Sequence, residues 1–360
     1  MMTVAMMTMT GAAFSPSAVR TWLETDDPVR EQELFAQARA ITRRHFGTRV
    51  TLYAPLYLSN LCVNNCLYCA FRRENPLLVR RALRPGELRA EAAAIAAMGH
   101  RTVVLVAGEH PRQAGEEAIA AAVATVRTVP AIRDVQVEVM PLTVAGYRQV
   151  SEAGAGMVVV YQETYDRAVY AQAHPSGPKT DYEWRLGALT RALRAGFRRV
   201  GMGVLLGLGD VAEDSAALIA HARAFQTAWD VWPTISLPRL QPATGAPWAL
   251  SPPRPVTDRV FLRLLAVIRM ALPKSRITLS TRESPRLRDL ALRLGVGVTQ
   301  VSAGSRTDVG GYAGGRVREI LSARPPGQFA IQDERPVPAI TGRLKTLGYQ
   351  PVWYQRGLRA

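Results

Sequence analysis

Eight short runs of apolar and β-branched residues, separated by longer segments of helical period, constrain the fold of this 360-residue chain more than any other feature. The runs fall at residues 51–59, 102–107, 135–140, 157–161, 199–206, 233–240, 276–280 and 299–302. Such runs suit strands covered on both faces, and their alternation with helical segments argues for a parallel sheet wrapped by helices. The segments between them lie at 86–98, 115–128, 143–153, 182–195, 213–228, 257–271 and 284–294, several opening with Thr, Ser or Asp and closing at Gly. That is the chemistry of helix caps. Ser284-Pro285 places a proline at the first helical position, where its missing N–H is not needed. Eight strands joined by seven helices predict a closed (β/α)8 barrel of the TIM type, with helical extensions at 17–46 and 337–347; an open doubly wound sheet is the alternative. The expected division is an N-terminal extension (1–47), the barrel (48–310) and a C-terminal extension (311–360) that packs on it. A barrel of this size forms one domain.

Hydrophobic residues make up 48% of the chain and charged ones 21%, enough for a packed core and a wetted surface, so disorder is excluded as the default. The formal charge is +16, but the basic residues are scattered arginines rather than a block, so no specific nucleic-acid function is expected. No apolar run is long enough to span a bilayer, which argues against membrane insertion. Residues 1–13 lack the basic start of a signal peptide and read as a disordered or misassigned beginning. Only three cysteines occur, all within eight residues, which excludes a disulfide framework and points to a reducing, cytoplasmic setting and a metal or redox site.

In a barrel the chemistry sits on loops leaving the C-terminal ends of the strands. The unusual residues follow the apolar runs: the cysteine loop after the first, Gly108-Glu109 after the second, Gln162-Glu163 after the fourth, Arg282-Glu283 after the seventh, and Ser302 to Ser305 after the eighth. Cys62-Val-Asn-Asn-Cys66-Leu-Tyr-Cys69 offers three thiolates, and a [4Fe–4S] cube held by three leaves one iron open to a ligand. A zinc-stabilised, non-radical barrel completed by His110 is the alternative from another class. Tyr68 sets a ring either beside a cofactor or in simple packing. The glycines of 203–209 have the wrong spacing for a dinucleotide loop. The remaining histidines read as surface or cap residues, and Trp353 as a seat for the C-terminal tail.

The three-cysteine spacing with an aromatic before the third resembles the radical S-adenosylmethionine (SAM) signature. Leu56-Tyr-Leu-Ser-Asn60, Val106-Ala-Gly-Glu109, Val160-Tyr-Gln-Glu-Thr-Tyr165, Ile235-Ser-Leu-Pro-Arg239, Leu279-Ser-Thr-Arg-Glu-Ser284 and Val301-Ser-Ala-Gly-Ser305 are similar to the aromatic amino acid lyases of that superfamily. These include the 2-iminoacetate synthases (ThiH) of thiamine biosynthesis and the hydrogenase maturase HydG. HydG carries a C-terminal extension with further cysteines, whereas no Cys follows Cys69 here and Gly348-Tyr-Gln-Pro-Val-Trp353 resembles a ThiH terminus. Cys62-Val-Asn-Asn-Cys66 and His174-Pro-Ser-Gly-Pro-Lys179 lean towards HydG.

The resemblance implies a [4Fe–4S] cluster on Cys62, Cys66 and Cys69, with SAM chelating the open iron. The implied reaction is Cα–Cβ cleavage of L-tyrosine to 2-iminoacetate (dehydroglycine) and p-cresol for thiazole assembly, begun by hydrogen abstraction from the substrate amine. A HydG-like or tryptophan-directed lyase of another pathway is the alternative. Arg282 is expected to hold the tyrosine carboxylate through a guanidinium fork, or else to form a structural pair with Glu283 or Glu163; Ser302 and Ser305 add hydroxyls. Gly108 and Glu109 are expected at the methionine amine of SAM, and Gln162 and Glu163 at the nucleoside or substrate. Arg185 is assigned to the SAM carboxylate, or else to a solvated helix face. Expected partners are a reductant protein of flavodoxin or ferredoxin type and a thiazole synthase.

Overall fold

The computed structural model describes residues 14–313 and 327–354. Residues 1–13, read above as a disordered or misassigned start, and part of the C-terminal extension lie outside the described residues. Each of the eight apolar runs becomes a strand: β1 (Arg49–Ser59), β2 (Thr102–Ala107), β3 (Asp134–Glu138), β4 (Met157–Glu163), β5 (Val200–Val204), β6 (Thr234–Ser236), β7 (Ile277–Leu279) and β8 (Gln300–Ser302). Neighbours pair in sequence order and in parallel, and β1 bonds both β2 and β8, so the ring closes and the open doubly wound sheet is excluded. The apolar runs are β-rich because both faces of each strand are buried, one towards the barrel axis and one towards the helices. Residues such as Leu52, Val103, Val135, Val158 and Ile235 are fully or nearly fully buried. Each such side chain contributes roughly 1.5–3 kcal/mol on leaving water.

The helices start where cap chemistry places them. Thr143, Asp210, Thr257 and Ser284 each accept a backbone N–H of the first turn, and Gly295 closes the helix Pro285–Leu294 in the left-handed region at φ 70. Two expected helices are broken. The segment 17–46 forms Pro16–Leu23 and Pro28–Phe46, because Pro28 lacks an N–H and disfavours helix at the residue before it, and Asp27 caps the second helix instead. The segment 182–195 splits at Gly187 into Tyr182–Leu186 and Ala188–Arg194. The linker from β4 to it also holds an unforeseen helix, Arg167–Ala173.

Among the described residues no helix is long and apolar enough to cross a membrane. The C-terminal helix, Val337–Thr346, leads into a further strand, β9 (Gln350–Val352), which pairs with the first residues of β1. Trp353 then packs its ring against His100 and under Gly99, and its carbonyl accepts from Thr102 Oγ1 at 3.3 Å.

Buried charge ties this tail to the barrel. Arg288, 2% exposed, donates to the fully buried Asp333 and, at 2.6 Å, to the carbonyl of Ser302 in β8. Asp333 also receives Arg335. Asp333→Ala strands the Arg288 guanidinium without its carboxylate, and is expected to destabilise the protein by about 3–5 kcal/mol. A lowered urea midpoint would show this; an unchanged midpoint would mean that the arginine finds another partner.

Candidate active site

The cysteine loop leaves β1 and is pinned by backbone bonds to segments far apart in sequence. Val63 N donates to Glu109 O at 2.8 Å, Asn65 N to Ser176 O at 3.1 Å and Leu67 N to Ala173 O at 3.0 Å. Arg80 Nη1 donates to the carbonyls of Asn60 and Phe71, both at 2.8 Å, and so clamps the loop from outside. Tyr53, Tyr57, Phe71, Val104 and Val106 form an apolar floor against Cys62 and Cys69. The N–H of Gly108 donates to Ser59 O at 2.9 Å, and a Cβ there would stand 2.4 Å from Leu61 O. The loop can lie this close to β2 only because residue 108 is glycine.

Cys62, Cys66 and Cys69 are free thiols lining one cavity, together with Tyr68, Gly108, Glu109, Glu138, Tyr161, Glu163, Lys179, Arg185 and Gln328. Burial pushes all three thiols up, Cys62 to about 11. A bound metal would reverse this by favouring the thiolates. Gln328 Nε2 donates to Cys69 Sγ at 3.6 Å, while its Oε1 accepts from Tyr57 at 2.8 Å.

A buried charge network forms the cavity wall. Arg185 donates to Tyr161 O (2.6 Å), Glu109 Oε1 (3.1 Å) and Glu163 Oε1 (3.4 Å), and Lys179 Nζ donates to Glu163 Oε1 at 2.7 Å. Burial alone would raise the Glu163 carboxyl, but Lys179 and then Arg185 outweigh it and hold the group down at about 2. Burial likewise opposes the charge on Arg185, and Glu109 and Glu163 more than restore it. Glu163 sits at φ 72, where a side chain other than glycine is strained, at the point where the register of β4 against β5 shifts. Asn64 Nδ2 donates to Glu109 Oε2 at 2.6 Å and its Oδ1 accepts Lys179 N at 2.8 Å, which joins the network to the cysteine loop.

Tyr68 and His174 form a second brace. The His174 Nδ1 bond to the Tyr170 carbonyl, at 2.7 Å, requires a proton on Nδ1, so Nε2 accepts from Tyr68 Oη at 2.8 Å. Burial pushes His174 down to about 3, which keeps it neutral.

Several assigned residues stand apart. Arg185 is buried and its donors are spent within the protein, so it is no solvated helix-face residue. Arg282 pairs with neither Glu283, which Arg239 takes, nor Glu163; its guanidinium lies 3.4 Å from the centroid of Phe329. Ser302 Oγ accepts from Thr281 N at 3.0 Å and so holds the loop that carries Arg282, whereas the buried Ser305 hydroxyl has no partner among the described residues. Gln162 is buried but is not among the residues lining the cavity. His110 caps its own turn, its Nδ1 accepting from Gln113 N at 3.2 Å. Sequence reasoning gave no role to Asn64, Glu138, Tyr161, His174, Lys179 or Gln328; Asn64, Tyr161, His174 and Lys179 lay inside motifs that had been noticed, while Glu138 and Gln328 had not been singled out.

The donor set fits a cluster better than a single ion. Among the described residues no three His, Cys, Asp or Glu side chains gather closely enough to share one metal ion, as zinc requires. A [4Fe–4S] cube bonds each thiolate to a different iron, so three thiols around one cavity can take three of its corners and leave the fourth iron for a ligand.

Comparison with known proteins agrees. Residues 56–221 match the radical SAM superfamily, and residues 236–350 the biotin and thiamin synthesis associated domain. The chain is 36% identical over 328 residues to 2-iminoacetate synthase of Escherichia coli (strain K12), covering 89% of this chain and 82% of that protein. The crystal structure of HydG, a maturase of the [FeFe]-hydrogenase, superposes with a TM-score of 0.87 at 37% identity, covering 95% of this chain and 73% of that one. The HydG of Carboxydothermus hydrogenoformans gives 0.87 at 36% identity, covering 96% and 77%. Identity at this level across most of both chains, over a barrel whose mouth gathers three free thiols, means that the chain belongs to the radical SAM superfamily, in the family that holds 2-iminoacetate synthase, and works with a [4Fe–4S] cluster and S-adenosylmethionine.

Proposed function

We propose that the protein is a tyrosine lyase of the 2-iminoacetate synthase type, cleaving the Cα–Cβ bond of L-tyrosine to 2-iminoacetate and p-cresol. The observation that carries this reading is a single cavity lined by all three thiols, with Arg282, a cation that has no ion pair among the described residues, beyond β7. The identity to the E. coli synthase supports it.

In this reading Cys62, Cys66 and Cys69 hold the cluster, which when bound with SAM supplies a 5′-deoxyadenosyl radical. The residues of the chain bind and orient. Glu109, braced by Asn64 and Arg185, presents its carboxylate to the methionine ammonium of SAM, and the bare backbone of Gly108 lets that group approach. Arg185 acts by fixing Glu109 and Glu163 rather than by touching SAM. Tyr68, anchored by His174, forms a fixed side of the cavity. The apolar Phe71, Val106, Val159 and Val160 keep water from a reactive site. Arg282, flattened on Phe329, presents its fork to the substrate carboxylate, and the Ser305 hydroxyl adds a donor. The barrel of residues 48–310 carries the chemistry, and the described parts of the extensions, residues 14–47, 311–313 and 327–354, brace it. A reductant of flavodoxin or ferredoxin type delivers the electron, and a thiazole synthase takes the product.

The similarity to HydG favours a second reading, the same type of cleavage serving another pathway, with tryptophan as the alternative substrate. Reconstituted protein given SAM, dithionite and L-tyrosine is expected to form 5′-deoxyadenosine, p-cresol and glyoxylate, the hydrolysis product of 2-iminoacetate. An indole product from tryptophan, with no p-cresol from tyrosine, would overturn the tyrosine assignment. Arg282→Lys is expected to raise the KM for tyrosine about tenfold or more, the scale of one lost charged hydrogen bond, with iron content unchanged; an unchanged KM removes Arg282 from the carboxylate. Gly108→Ala drives a methyl into Leu61 O and is expected to lower the iron bound on reconstitution while the far-ultraviolet spectrum stays the same. Full iron loading would show that the loop has room to shift.

A further inference from the structure

Among the described residues, Glu138 and Arg282 at the barrel mouth each have no ion pair. Glu138 ends β3 and Arg282 follows β7. In a ring of eight strands these are four apart, so the two residues face each other across the mouth. The neighbouring carboxylates have other roles: Glu163 is held by Arg185 and Lys179, Glu283 by Arg239, and Glu109, braced by Arg185, is the one assigned above to the ammonium of SAM. Among the described residues Glu138 has no ion pair; it lines the cavity that holds the three thiols and is only partly buried. Arg282 is the cation whose field Glu138 feels most, yet it rests on Phe329 without pairing.

An anion lining the cavity and a cation beyond it, close enough for each to feel the other's field but not paired, match a ligand that carries both charges on neighbouring atoms. We propose that Glu138 is the subsite for the α-ammonium group of the amino-acid substrate, so that Glu138 and Arg282 clamp the zwitterion by its two charged ends. This rests on the reading that an α-amino acid is cleaved in this cavity.

The same carboxylate is suited to take a proton. Hydrogen removal from the substrate nitrogen requires the neutral amine, so the ammonium must first lose one proton. That proton passes from nitrogen to a Glu138 Oε; the ammonium becomes an amine, the carboxylate a carboxylic acid, and no electrons move. Burial raises the Glu138 carboxyl to about 7, with Arg282 offsetting part of the rise, which makes it a better proton acceptor than an ordinary carboxylate and brings it closer to the ammonium it would deprotonate. The other charges that reach it are those of Glu163 and Arg185, which neutralise each other. The nearby phenols of Tyr53, Tyr57 and Tyr161 are raised by burial and stay neutral.

The test is anaerobic equilibrium binding to the reconstituted holoenzyme of two pairs: L-tyrosine against 3-(4-hydroxyphenyl)propionate, and L-tryptophan against indole-3-propionate. The wild-type enzyme is expected to prefer the amino form of its substrate pair about tenfold or more, the scale of a charged hydrogen bond. Glu138→Gln should abolish the preference by weakening only the amino form, Glu138→Asp should restore part of it, and the cluster absorbance should stay the same in both. Glu138→Gln that retains the preference, or a wild-type enzyme with none for either pair, overturns the clamp. A Glu138-dependent preference in the tryptophan pair alone, with no p-cresol from tyrosine, would sink the tyrosine reading and uphold the clamp. Formation of p-cresol with an unaltered preference in Glu138→Gln would do the reverse.

Discussion

Arg185 is a fully ionised group 7% exposed, and the site is arranged around the need to satisfy it. A guanidinium taken out of water costs several kcal/mol unless each of its donors is met, and loss of one partner leaves the rest stranded. Here the partners come from the loop after β2 (Glu109), the strained end of β4 (Glu163) and the backbone of Tyr161. Glu163 then recruits Lys179, and the Lys179 N–H and Glu109 converge on Asn64 inside the cysteine loop. One buried charge therefore sets the relative positions of three loops, and the positive φ of Glu163 is held by the pairing. The cluster ligands inherit a placement that their own short loop has no means of holding alone.

The barrel was legible because its strands are buried on both faces. Val103, Val135 and Val158 stand in runs that suit no other element of the same length, and all eight runs appear as strands. The cysteine triad was legible for a different reason, since three thiols within eight residues are one local unit. Legibility failed wherever a role depends on distant partners. Nothing near Lys179 in sequence indicates that its ammonium is buried on Glu163, and Glu138 reads simply as the polar end of an apolar run. Arg185 was singled out, but its partners lie 76 and 22 residues away in the chain. Gln162, expected at the nucleoside or substrate, is buried beside the cavity, while its neighbours Tyr161 and Glu163 line it.

Breaks in the helices followed local rules that had been passed over. Pro28 and Asp27 together make one helix end and another begin, and the pair is visible in the sequence once a single long helix is not assumed. The strand β9 is another matter. Gln350, Pro351 and Val352 have little strand character, and the segment is extended because β1 offers it an edge.

That edge has a temporal side. Thr51 pairs with Gln300 on one flank and with Val352 on the other, separations of 249 (300 − 51) and 301 (352 − 51) residues. During synthesis β1 emerges among the first elements, but its partners on β8 and β9 are among the last. Contacts across such spans carry a loop-closure cost that must be met before any pairing offsets it, which makes ring closure slow and late. Gln328, which reaches Cys69, also belongs to that late segment. The nascent cysteine loop consequently stays without its closed ring and its Gln328 contact until nearly the whole described chain has been made, so the three thiols appear long before the frame that holds them.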